Sequence, residues 1–204
     1  MSRSSDSELQ RWISSRDGDA FHALVREFGG MVLATAQRIL RSRPDAEEVM
    51  QECFAALAGV SRPPDTPLGP WLHRVATNRA LNRLKSDSAR LRREVASPQP
   101  APIAPDFARA ELENLLDEAL LDLPEPLQDA LVGHYLLGKS QQALAAEMGI
   151  SRQRVTRRVA RGKEALRKEL LKRGVATGAV VLGGALESLA APPISAPLAA
   201  SIGK

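Results

Sequence analysis

The stretch from Ser151 to Leu170 leaves its chain few choices of structure. Val155, Val159, Gly162, Leu166 and Leu170 recur at spacings of three and four, which places them on one face of an α-helix, and Ser151 is a good N-cap. The remainder of that helix is cationic. Ten Lys or Arg residues lie between Arg152 and Arg173 (152, 154, 157, 158, 161, 163, 167, 168, 172 and 173), against two acids, Glu164 and Glu169. Such a helix repels itself unless a polyanion is near. Just upstream, residues 141–148 read as a short helix with Leu144, Ala145 and Met148 on one side, and Gly149 follows where the chain must turn sharply. Helix, glycine turn and basic helix make a helix-turn-helix, which points to DNA. A helical hairpin with a merely solvated charged face is the plainer alternative, but it leaves the agreement of cap, glycine and apolar spacing to coincidence.

Aromatic residues make up 3% of the 204, and β-branched runs are scarce before the C-terminus, so an all-α fold is expected. A net charge of +4 and a pI near 9.6 favour an anionic partner. The one cysteine, Cys53, falls on an apolar helix face as core packing, and no disulfide or multi-cysteine metal framework can form within the chain. His22, His73 and His134 lack metal-ligand spacing, so neither a metal site nor a cofactor is expected. The N-terminus is polar, without the apolar core of a secretion signal, and points to a cytoplasmic protein. No integral membrane span is expected either, because Gly174 to Leu186 is too short an uncharged run to cross a bilayer.

Taken in order, residues 8–14 predict a short amphipathic helix carrying Leu9, Trp12 and Ile13, after which Asp19 can cap a longer helix running from Phe21 to about Arg41. Gly29 and Gly30 interrupt that second helix at a cost of about 1 kcal/mol each relative to alanine, and close packing against a neighbour is the expected reason. The next helix starts at Pro44-Asp45 with a box-like pairing of Asp45 and Glu48. Ala46, Val49, Met50, Cys53, Phe54 and Leu57 share its buried face, while Asp45, Glu48 and Glu52 line up on another with Gln51 beside them. That carboxylate stripe reads either as a solvated face or as a docking surface for a basic partner. Acid–base catalysis is disfavoured because nothing implies burial of these acids, and no enzyme is expected.

Ser61 to Pro70 is a stiff proline-rich loop, followed by a helix beginning near Trp71 with Leu72, Val75, Ala76, Ala80 and Leu84 on its apolar side. Trp71, Arg74, Asn78, Asn82 and Lys85 form a second face of that helix. Amides and an indole can bond to and stack on unpaired bases while the cations hold phosphates. Residues 97–105 contain four prolines in nine and form the clearest linker, which gives two small helical domains, the second ending in the helix-turn-helix. The expected division is 1–93, a linker at 94–107, 108–173 and a tail at 174–204. Residues 106–129 carry eight acids against Arg109; helices at Leu112–Leu120 and Leu127–Leu137 are expected to pack behind the basic helix with acids near its bases. The tail, rich in Ala, Gly, Val and Leu, reads as a weakly ordered apolar appendage.

Three segments resemble a family. Asp45 to Phe54 (DAEEVMQECF), Pro70 to Leu84 (PWLHRVATNRALNRL) and Leu123-Pro124 followed by Gly149 to Val155 (GISRQRV) are similar, in that order, to the segments of bacterial RNA polymerase sigma factors of the extracytoplasmic-function type. The resemblance covers about residues 18–172 and departs at the loop 61–70, at Arg154 and in the added tail. It implies that Asp45, Glu48, Gln51 and Glu52 bind core RNA polymerase. It implies further that residues 61–71 with Trp71, Arg74, Asn78, Asn82 and Lys85 take the opened strand of the −10 promoter element. Ser151, Arg152, Gln153, Arg154, Thr156, Arg157 and Arg158 would read the −35 element, with Arg161, Lys163 and Lys168 on phosphates. Core polymerase, promoter DNA and an anti-sigma factor are the partners it implies, with no chemistry catalysed by the chain itself. A stand-alone helix-turn-helix regulator that never binds polymerase is the rival reading, and a DNA-processing enzyme using the acids of residues 45–52 is a third.

Overall fold

The computed structural model describes residues 3–94, 105–175 and 178–202, of which the side chains at 3–4, 88–94, 105–111 and 179–180 are left aside. The core of the proposed linker, residues 95–104, lies outside the described residues. All regular structure described is helical: α1 (Arg3–Ser15), α2 (Gly18–Leu40), α3 (Arg43–Ala58), α4 (Leu68–Glu94), α5 (Pro105–Leu121), α6 (Glu125–Leu131), α7 (Gln141–Met148), α8 (Arg152–Lys172), α9 (Ala179–Ser188) and α10 (Ala196–Ile202). The α6 helix passes directly into one π-helical turn, Val132–Leu136.

In the first helical unit α2 is the central column, packed along both α3 and α4 with α1 against its start. Its apolar stripe explains this: Leu24, Val25, Phe28, Val32, Ala36 and Ile39 are buried, and they meet Val49, Met50, Cys53, Phe54 and Leu57 of α3 and Leu72, Ala76 and Ala80 of α4. Leu84 is the exception to the expected apolar side, 38% exposed where α4 runs on past its neighbours. The caps differ from those expected. Asp17, not Asp19, accepts the N–H groups of Asp19 and Ala20 at the start of α2, because an N-cap carboxylate must lie outside the helix to reach back to its second and third residues. Likewise Ser42 caps α3 and Asp45 sits inside its first turn. α4 begins at Leu68 rather than Trp71; Pro70 is tolerated because the first turn has no intrahelical use for its missing N–H.

In the second unit α5 and α6 pack on α8, with α7 crossing it. Gly149 ends α7 in the left-handed conformation, φ 62°, and its N–H bonds to Ala145 O, a conformation that a residue with a Cβ adopts only at a cost. Ser151 then caps α8 by accepting from Arg154 N at 3.3 Å, and Val155, Val159, Gly162, Leu166 and Leu170 form its buried stripe. Of the acids expected near the basic helix, Asp122 pairs with Arg173.

The two units pack on each other through α2 and α4 against α5, α6 and the π turn. The tail, expected as a weakly ordered appendage, is instead packed on both units. α9 lies on α5 and α8, and α10 lies on α2, because Leu182, Leu186, Leu189 and Ala199 find apolar surface to bury against. Among the described residues no helix is long and apolar enough to cross a membrane.

Candidate nucleic-acid interface

Two exposed surfaces and one acidic stripe gather the residues singled out in the sequence. On α8, Ser151, Arg152, Gln153, Arg154, Thr156 and Arg157 are exposed, since the buried stripe faces α5 and α6 and leaves the opposite side to water. Within that set the structure separates roles. Thr156 Oγ1 donates to Gln141 Oε1 at 2.6 Å and to Arg152 O at 3.1 Å, so this hydroxyl ties α8 to α7. Arg158 is half-buried with its guanidinium 3.7 Å from Met148 Sδ. No ion pair engages Arg152, Arg154, Arg157 or Arg161 among the described residues. Arg154, Arg157, Arg158 and Arg161 line a cleft of about 570 Å³ whose other wall is Pro124, Pro126 and Leu127. Four guanidinium groups on one wall make a cationic surface that suits both base edges and phosphate oxygens of a nucleic acid. The arginines are legible in the sequence but the proline wall is not, since only the packing of α6 on α8 supplies it. Lys163 is half-buried and Lys168 exposed farther along the helix.

On α4, Asn78, Asn82 and Lys85 are exposed on one face below half-buried Trp71. Arg74 is exposed, and its Nη2 donates to Gln128 Oε1 of α6 at 3.4 Å, so in this arrangement it reaches toward the second unit. Residues 59–66 curl beside Trp71 and Arg74 to leave an open cleft of about 440 Å³, with Arg62 and Asp65 exposed in its wall. The expected loop and aromatic residue are therefore brought together.

The acids of α3 form a stripe, with Glu48 and Glu52 exposed and Asp45 half-buried, and they are already engaged by cations. Arg83 Nη2 lies 2.8 Å from Asp45 Oδ1 and 2.6 Å from Glu48 Oε2, and Arg79 Nη1 lies 2.5 Å from Glu52 Oε2. The sequence places Arg79 and Arg83 on α4 but cannot show that they cross to α3. These pairs are partly exposed, from 28% at Arg83 to 59% at Glu48, and hold the stripe weakly, so a stronger cationic partner can take it. Cys53, on the buried face of the same helix, is inert: burial pushes its thiol up to about 12. Among the described residues no cluster of His, Cys, Asp and Glu is placed to hold a metal ion.

Both helical units have counterparts among known proteins. Sigma-70 region 2 matches residues 24–90, and Sigma-70, region 4 matches residues 113–166. The chain is 32% identical over 164 residues to the RNA polymerase sigma factor CarQ of Myxococcus xanthus, covering 76% of this chain and 92% of that one. It is 28% identical over 173 residues to the ECF RNA polymerase sigma factor SigW of Bacillus subtilis, covering 78% and 92% respectively. With the probable RNA polymerase sigma factor RfaY of Xanthomonas campestris it shares 29% identity over 167 residues, 76% of this chain, and spans 41% of that protein's length.

Proposed function

Because the chain belongs to the sigma-70 family, as a sigma factor of the extracytoplasmic-function type, we propose that its three surfaces divide the work of initiation. Asp45, Glu48, Gln51 and Glu52 on α3 dock core RNA polymerase, exchanging Arg79 and Arg83 for cations of the enzyme. Trp71, Asn78, Asn82 and Lys85, with the cleft of residues 59–66, receive bases of the −10 strand as it opens; Arg74 joins them once it leaves Gln128. Ser151 to Arg154 and Arg157 read the −35 element from the major groove, while Arg158, Arg161, Lys163 and Lys168 hold phosphates and Thr156 keeps α8 aligned on α7.

The functional units on this reading are 1–93 and 108–173, joined by 94–107 and followed by the tail. The chain carries no reaction of its own: it selects the promoter and helps open it, in the cytoplasm where the polymerase works. An anti-sigma factor is a further partner, one that would cover the same surfaces. The observation that carries the proposal is the exposed carboxylate stripe of α3 standing in one chain with an exposed cationic recognition helix. Co-purification with core polymerase tests it: the chain is retained, and reversal of Glu48 and Glu52 to lysine releases it. Retention of the reversed chain, or no retention of the natural one, contradicts the docking role and revives a stand-alone regulator.

A further inference from the structure

The tail behaves as a strap across both units. Its first half is fixed to the second unit: Leu182, Leu186 and Leu189 are buried, α9 packs on α5 and α8, and Ser188 Oγ donates to Glu113 Oε1 at 3.1 Å. Its second half is fixed to the first unit. Arg38 Nη1 of α2 donates to Leu189 O at 3.4 Å, and the chain then crosses α2 at the Gly29-Gly30 pair. A Cβ on Gly29 would stand 2.6 Å from Ile194 Cδ1, and one on Gly30 would collide with the carbonyl oxygen of Pro192. The costly glycines of α2 thus have their neighbour, and it is the tail. Beyond the crossing, Ala199 is buried on α2, and Ser201 and Ile202 share a cleft of about 270 Å³ with Gln51 and Ala55 of α3.

The closed arrangement does not suit promoter reading. Elements centred about 25 base pairs apart are separated by roughly 85 Å of duplex, whereas a compact chain of this length has a radius of gyration of only about 17 Å. The strap is also lightly held. α9 and α10 have 10 and 7 residues, too short to persist alone, and residues 192, 193 and 195–197 between their anchors are exposed.

We propose that residues 178–202 are an intramolecular clasp that closes the −10-reading unit onto the −35-reading unit and sets its last turn beside Gln51, itself still exposed, so that it screens the approach of core polymerase to that edge of α3 and must be displaced. The clasp rests on the sigma-factor reading for its consequence but not for its existence, and the test separates the two. Spin labels are placed on the full chain through Arg26→Cys and Glu164→Cys, both exposed, with the buried Cys53 left in place. The strap-side variant Ile194→Asp/Ala199→Asp alters no residue of either unit, and Gly30→Val blocks the seat from the other side.

Both variants are expected to widen the label separation and to tighten binding to core polymerase, by about ten-fold if one chain in ten is open at rest. An unchanged separation in Ile194→Asp/Ala199→Asp overturns the clasp. A widened separation with unchanged affinity overturns its screening role. If neither natural nor variant chain binds core polymerase, the sigma-factor docking reading fails and the screening role falls with it, while the label separation still decides whether the strap closes the chain.

Discussion

Asp117 of α5 takes both arms of the Arg38 guanidinium from α2, at 2.8 Å from Nε and 2.9 Å from Nη2. His73 Nε2 of α4 lies 2.9 Å from the same carboxylate. The acid and the histidine are fully buried, and the arginine nearly so, so one carboxylate joins three helices of two units out of reach of water.

Removing that carboxylate strands a guanidinium and an imidazole in the interior. Asp117→Ala is therefore expected to cost about 3–5 kcal/mol in urea unfolding of the full chain, whereas Asp117→Leu combined with Arg38→Met recovers most of the loss. The pH dependence has a definite sign. Burial alone would raise the pKa of Asp117, but the charge of Arg38 and the hydrogen bonds from His73 and Arg38 hold it below its ordinary value. A lowered carboxylate contributes stability that is present above the ordinary value and lost as pH falls through the folded one. The natural chain should lose stability in acid more steeply than Asp117→Asn.

Asp129 of α6 is the opposite case. Burial, with repulsion from Glu125 and only partial relief from Arg158, raises it to about 6, and its Oδ1 has no hydrogen-bond partner. A carboxyl with a raised folded pKa costs stability as pH climbs from its ordinary value of 3.8 through 6. Asp129→Asn is expected to stabilise the chain at pH 7 by about 1–2 kcal/mol, allowing for solvent screening, and to flatten the stability profile between pH 4 and 6. Thermal unfolding across that range checks it.

The acidic stripe should be separable from the fold. Glu48 is 59% exposed and its pair with Arg83 is worth at most about 1 kcal/mol. Glu48→Lys with Glu52→Lys should therefore lower the affinity for core polymerase by at least about ten-fold while shifting the unfolding midpoint little.

Along α8 the expected losses differ in kind. Arg152→Ala or Gln153→Ala should relax base preference at one or two positions of the −35 element, by about 1–3 kcal/mol each. Lys168→Ala should weaken all duplexes alike and lower the salt dependence by about one counterion. Binding to a randomised −35 library separates the two patterns, and equal sequence-blind losses would mean that another face reads the bases.

Much of this arrangement is legible in the sequence because it is local. The N-cap at Ser151, the glycine at 149 and the stripe Val155 to Leu170 are set by spacing alone, and so is the face of Asn78, Asn82 and Lys85. What escapes is what depends on distant partners. Asp117 is one of eight acids in its segment, and only the packing of α5 on α2 selects it for burial. Gly29 and Gly30 announce a close neighbour, but Ile194 and Pro192 stand more than 160 residues away in a tail whose Ala- and Gly-rich composition suggests no structure. The acids of α3 look free in sequence because Arg79 and Arg83 reach them from another helix.

Whether this chain confers promoter choice on core polymerase through the stripe of α3 is decided by in vitro transcription with core polymerase on a genomic fragment library, with start sites mapped. Discrete start sites, preceded by shared −35 and −10 elements, are expected to appear with the natural chain and vanish with Glu48→Lys/Glu52→Lys. Transcripts no different from those of core polymerase alone, or an undiminished yield from the reversed chain, would contradict that role.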